Sequence, residues 1–114
     1  MTPGRELDAL IAEKVFGYTV FRNPKGGWSI DEPDYYDNYG ESILWNPLPA
    51  YSEDISSAWQ VIEKLKEEFK RVDLTYNSNK WLLTVQGKFG FMSDGQETAS
   101  HAICIAALRI AEEK

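Results

Sequence analysis

The sequence predicts an α+β fold in which a small antiparallel sheet is sandwiched between helical layers (alpha-beta-alpha), in the order α-β-β-α-β-β-(β)-α. Three observations carry that expectation. Ile55, Ala58, Trp59, Ile62, Leu65 and Phe69 repeat with the spacing of one helix face. Val72, Leu74 and Tyr76, then Trp81, Leu83 and Val85, alternate with polar residues as strands do. Ala99, Ala102, Ile103, Ala106 and Ile110 return to helical spacing before the chain ends.

The elements follow in order. Thr2-Pro3 reads as an N-cap with proline at the first helical position, and Leu7, Leu10, Ile11 and Val15 give a short stripe that stops before Gly17. Tyr18-Thr19-Val20-Phe21-Arg22 has the aromatic and β-branched content of a strand. Asn23-Pro24-Lys25-Gly26-Gly27 is turn chemistry, which lets Trp28-Ser29-Ile30 pair back. Residues 31–51 form an extended acidic and aromatic loop broken by Pro33, Pro47 and Pro49, with a short strand expected near Ser42-Ile43-Leu44-Trp45.

Ser52 is the expected N-cap of the second helix, at 53–69, with Glu53 and Asp54 complementing its dipole. Lys64, Lys66, Lys70 and Arg71 suit the opposite end. Trp59, near the middle, is expected to anchor the core. Asn77-Ser78-Asn79 links two strands as a hairpin, Phe89 and Phe91 around Gly90 suggest a third, and Ser93-Asp94-Gly95 turns the chain into a helix over 97–113. Ile105 and Leu108 widen that helix's apolar surface, and its alanines permit close packing on the sheet.

The totals bound the function. A chain of 114 residues is one domain, 1–114, with roughly 6,300 Å² of folded surface expected from its mass. Cys104 is the only cysteine, so an internal disulfide is excluded and a buried thiol in a reducing cytoplasm is expected. Residues 1–16 mix Arg5, Glu6, Asp8, Glu13 and Lys14 with apolar residues, unlike a signal peptide, and no run reaches membrane-spanning length. A net charge of −6 argues against direct nucleic-acid binding.

Arg5 to Gly17, Pro49-Ala50-Tyr51-Ser52 through Ala58-Trp59-Gln60-Val61-Ile62-Glu63-Lys64-Leu65, and Glu97-Thr98-Ala99 with Ala102 to Leu108 together cover about half the chain. In combination they resemble the three helices of the phage ABA-sandwich domain family of small phage and prophage proteins. The resemblance implies a sheet between helical layers and a gene carried by a phage or prophage. It implies no reaction.

No catalytic signature stands out. His101 and Cys104 are one turn apart, but nothing in the sequence supplies an orienting group or an oxyanion pocket for a nucleophile pair. Asp31, Asp34, Asp37 and Glu41 do not fit a calcium loop, because Pro33 and Tyr35 hold the third and fifth positions. Acidic residues in one loop also form pairs by chance, so paired glycosidase-type carboxylates are not inferred. Gly26-Gly27 and Gly87-Lys88-Phe89-Gly90 lack phosphate-loop spacing. No metal or cofactor is expected.

The aromatic residues Trp28, Tyr35, Tyr36, Tyr39 and Trp45 form the candidate binding surface. The leading reading is a non-enzymatic accessory protein that binds a host or phage protein in the bacterial cytoplasm. A small-ligand binder with an aromatic-lined pocket comes second, and a hydrolase third. Oligomeric state is left open.

Overall fold

The structure, a computed structural model, describes residues 1–22, 27–31, 46–87, 90–92 and 95–113. Helix α1 spans Arg5–Lys14. It starts later than Thr2-Pro3 suggested, because Gly4 stands at the cap position with φ 145° and its N–H donates to the distant Ser52 hydroxyl at 2.9 Å. Leu7, Ile11 and Ala12 are buried, with Leu10 and Val15 packed beside them. The helix stops where expected: Gly17 takes φ 75°, and Tyr18 N–H returns to the Ala12 carbonyl at 2.9 Å.

Strands β1 (Thr19–Arg22) and β2 (Trp28–Asp31) pair antiparallel, with Arg22 opposite Trp28. Strand β3 (Asn46–Pro47) joins the free side of β2. Pro47 is accommodated because β3 is an edge strand. The strand expected near Ser42-Ile43-Leu44-Trp45 lies outside the described residues, as does most of the turn at 23–26.

Helix α2 (Ile55–Lys66) corrects the expected start at 53. Glu53 and Asp54 N–H groups both turn back to the Ala50 carbonyl, so the chain makes a turn before the helix begins. Asp54 is then the N-cap, accepting from Ser56 N–H at 3.3 Å and from the Ser57 hydroxyl at 2.9 Å. Ser52, expected in that role, is buried elsewhere. Phe69 lies beyond the helix end yet stays in the core, its N–H held by the Leu65 carbonyl.

The buried arc of α2 is also rotated from the predicted one. Ala58, Val61, Ile62 and Leu65 face inward, whereas Ile55 is 47% exposed and Trp59 50% exposed. At 100° per residue the true arc is turned about 45° toward Val61. Trp59 is therefore not a core anchor. That place belongs to Tyr51, 1% exposed in the turn before the helix.

Strands β4 (Arg71–Asn77) and β5 (Lys80–Gln86) form the expected hairpin in unbroken register. Its two loop residues, Ser78 and Asn79, both take positive φ (53° and 66°), the type I′ pattern that matches strand twist. Strand β6 (Gly90–Met92) pairs with the other edge of β5. Leu83 and Val85 are fully buried, while Tyr76 near the hairpin tip is exposed. Phe89, Ser93 and Asp94 lie outside the described residues.

Helix α3 (Ala99–Glu112) is capped by Thr98, whose hydroxyl accepts from His101 N–H at 3.1 Å. Ala102 through Leu108 are buried without interruption, so the helix is enclosed all round its central two turns. It packs on α1, α2, β5 and β6, while α1 carries β1 and α2 touches β4. The α+β class and the order of elements are as the sequence predicts. The described strands divide into two three-stranded antiparallel sheets, and contacts run in series from the first sheet through α1 and α3 to the second.

Candidate functional site

The most tightly built polar cluster lies where α1 begins and the chain approaches α2. Asp8 occupies a helical position between the core residues Leu7 and Ile11 and is fully buried. Its Oδ1 accepts from Ser52 N–H at 2.8 Å and from the Ser52 hydroxyl at 2.6 Å. Its Oδ2 accepts from Arg5 Nη1 at 3.0 Å, and Arg5 Nη2 donates to the Leu48 carbonyl at 2.6 Å. A buried carboxylate is costly unless its lone pairs and charge are met, and here three donors meet it.

This cluster holds the fold rather than performing chemistry. The single proton of the Ser52 hydroxyl is committed to Asp8, and both side chains are closed to solvent. Sequence reasoning missed Asp8. The available signal was an acid on the same apolar stripe as Leu7, Ile11 and Ala12, with an arginine one turn before it.

Cys104 is fully buried, as the sequence led us to expect. Burial pushes its thiol pKa far up, and the Asp8 carboxylate pushes in the same direction. It is therefore a protonated thiol at neutral pH, the reverse of an activated nucleophile. His101, one turn earlier, uses Nε2 to donate to the Met1 carbonyl at 2.7 Å, since a carbonyl can only accept. These two environments do not make a catalytic pair.

Of the predicted aromatic surface, Trp28 lies on β2, half-buried, with the Arg22 guanidinium 4.5 Å from its ring centre. This contact locks two directly opposed residues of β1 and β2 and is worth about 0.5–1 kcal/mol at a partly exposed site. Tyr35, Tyr36, Tyr39 and Trp45 lie outside the described residues, as do Asp34, Asp37 and Glu41. Among the described residues no group of three metal-ligating side chains comes together.

Two surfaces flank the solvent face of α2. On one side Trp59 and Ile55 stand a turn apart with their apolar side chains half in water. On the other an open groove of about 500 Å³ runs between the helix and the end of α1, lined by Phe16, Tyr18, Gln60, Glu63, Lys64 and Glu67, with Lys66 at its margin. Phe16 stacks between Tyr18 and Tyr51 at 5.3 Å centroid separations, which fixes the groove's aromatic wall. Nothing in the sequence singles out either surface, because the spacing of Trp59 reads as that of a core residue.

Residues 9–108 match the family model of the phage ABA sandwich domain. The chain is also similar to a crystal structure of a phage protein from Bacillus cereus ATCC 14579, at 34% identity over 95% of this chain and 90% of that one, with a TM-score of 0.68. No curated protein matches the chain.

Proposed function

The chain belongs to the phage ABA sandwich domain family, and from that premise we propose that it is a non-enzymatic interaction module of a phage or prophage, acting on a protein partner in the cytoplasm of the host bacterium. The observation that carries this reading is Trp59, a large ring held half exposed on a capped, well-packed helix. Rigid aromatic area offered to solvent is the side-chain chemistry that anchors protein interfaces. The buried reactive groups have structural work: Asp8 binds Ser52 and Arg5, and Cys104 is kept protonated. Among the described residues no helix is long and apolar enough to cross a membrane.

The acidic aromatic segment containing Tyr35, Tyr36, Tyr39 and Trp45, together with Trp28, is proposed as a further part of the contact surface. A second reading, binding of a small ring-bearing ligand, is favoured by the groove beside Phe16 and Tyr18. A photo-reactive phenylalanine analogue placed at position 59, and separately at 28 and 36, in phage-bearing cells distinguishes the two. The interaction reading expects a discrete protein adduct on the 13.0 kDa chain. A stoichiometric small molecule retained through purification, with no protein adduct at any position, favours the ligand reading instead.

A further inference from the structure

We propose that the outer edge of β4 is a strand-addition site, which takes an extended segment of a partner protein as a further strand of its sheet. The inference rests on the interaction-module reading and deepens it by naming the kind of partner. β4 stands at one end of the order β4-β5-β6, and among the described residues no strand pairs with its outer side. The two-residue turn at Ser78 and Asn79 makes Asn77 and Lys80 a hydrogen-bonded pair. Bonded and non-bonded pairs alternate along the hairpin, so Val72, Leu74 and Tyr76 turn their N–H and C=O groups outward. A row of this kind is a template for another strand.

The same three residues set the side chains of the occupant. Val72 and Leu74 pack against the core, and Tyr76 shares their face of the sheet at 57% exposure. Helix α2 packs against β4, while α3 packs against β5 and β6. Lys64 and Leu65 share a small cavity with Ala107 and Ile110 of α3, so α3 lies on that flank of α2. Ile55 and Trp59 lie about 80° and 120° from Leu65 in the other direction, on the flank at the sheet edge. The link at 67–70 brings β4 back along α2, and Ile55 and Tyr76 each stand roughly 17 Å from it, at one level. Apart from Met1, these three are the exposed large hydrophobic side chains among the described residues, and they share one border. A strand added there covers them with apolar side chains at alternate positions. Its other face continues Arg71, Asp73, Thr75 and Asn77, and is polar.

Charges at the two ends of the border orient the occupant. Glu53 stands exposed before α2, at the Tyr76 end, and Lys70 stands exposed before β4, at the other. Neither forms an ion pair among the described residues, whereas Lys66 and Arg71 are met by Glu63 and Asp73. Glu67 pairs with Lys64, Glu68 lines the cavity toward α3, and Lys80 projects from the far face of the sheet. Antiparallel pairing, as in the rest of this sheet, sets the start of the added strand beside Glu53 and its end beside Lys70. The complementary occupant therefore carries a cation first, alternating apolar residues, and a carboxylate last.

A blocked peptide copying β5, Lys80 to Gln86, with Leu82→Thr and Gln86→Glu, has that pattern and serves as the probe. It is titrated to about 1 mM into the isotope-labelled full chain, and amide hydrogen exchange is followed residue by residue. The expected result is saturable binding with slowed exchange at Val72, Leu74 and Tyr76. Trp59→Lys should weaken binding more than about fivefold while leaving the thermal midpoint near that of the parent. Tyr76→Pro, which lacks the outward N–H, should weaken it more than Tyr76→Thr, which keeps it. No binding, slowed exchange confined to other amides, or equal binding of the same residues with the apolar ones consecutive overturns the proposal. Failure of the peptide beside a protein adduct at position 59 overturns strand addition alone and leaves the interaction reading standing. Failure of the peptide with no adduct at any position removes both.

Discussion

The Ser52 hydroxyl donates to Asp8 Oδ1 at 2.6 Å across 44 residues of chain, and the Ser52 backbone N–H donates to the same oxygen at 2.8 Å. One carboxylate oxygen thus holds the turn before α2 twice. The other takes the Arg5 guanidinium, which in turn holds the Leu48 carbonyl. The start of the first helix and the approach to the second are fixed to each other around this acid, with the Gly4 N–H to Ser52 hydroxyl bond beside it. Ser52 does not cap α2 because its hydroxyl is engaged elsewhere, its oxygen accepting from Gly4 N–H and its proton going to Asp8.

Removing parts of that cluster should give graded losses in urea unfolding. Ser52→Ala removes the bond to Asp8 and the acceptor of the Gly4 N–H but leaves the Ser52 backbone N–H in place, so about 1–3 kcal/mol is expected. Asp8→Ala strands a buried hydroxyl and a buried N–H together and should cost more. Arg5→Ala should cost least, because the arginine side chain is 41% exposed and water replaces part of what it supplies. A loss below about 0.5 kcal/mol for Ser52→Ala contradicts the role assigned to the cluster.

Trp59→Ala should lower stability by less than about 1 kcal/mol, since half of the ring is already in water. Tyr51→Ala empties a core site and should cost about 3–5 kcal/mol, in the range for large buried aromatics. Thermal melts of the two variants at low protein concentration check the contrast. Equal losses would place Trp59 back in the core.

Local signals made the helices legible. Periodic apolar residues located α1, α2 and α3, and Gly17 correctly ended the first of them. The rotation of α2 was not legible, because Trp59 outweighs Val61 in apolar area although the smaller residue is the buried one. Periodicity fixes that a helix has an apolar face, but a ring at the margin of that face pulls the inferred centre toward itself. The Asp8–Ser52 bond was hidden for a different reason: it joins residues far apart in sequence, and no local rule pairs them. Of the candidate surface, Trp28 falls on a strand as expected, whereas Tyr35, Tyr36, Tyr39 and Trp45 lie outside the described residues.

The β4–β5 hairpin carries a local cost that substitution can relieve. Ser78 takes φ 53°, a conformation unfavourable for most side chains, and asparagine tolerates it better. Ser78 donates only to the neighbouring exposed Asn77 side chain, so little is lost in exchange. Ser78→Asn should stabilise the protein by about 0.5 kcal/mol, read as a raised urea midpoint with unchanged slope. A lowered midpoint would contradict the turn assignment.

Cys104 should make the fold sensitive to alkaline pH. Burial foremost, and then the Asp8 carboxylate, raise its thiol pKa above the unfolded value of about 8.5. The contribution is fully present below that unfolded pKa. As pH rises past it, the unfolded chain loses the proton and the native chain keeps it, so unfolding is favoured. The expected loss approaches about 1.4 kcal/mol per pH unit, continuing toward the raised native pKa. Cys104→Ala removes the group from both states, and the tyrosines and lysines common to both proteins cancel in the comparison. Between about pH 8.5 and 10.5 the parent should therefore lose stability more steeply than Cys104→Ala, whatever fixed cost the small cavity adds. Parallel curves would show that the thiol ionises as readily in the folded protein as in the unfolded chain, contradicting the effect of its burial on α3.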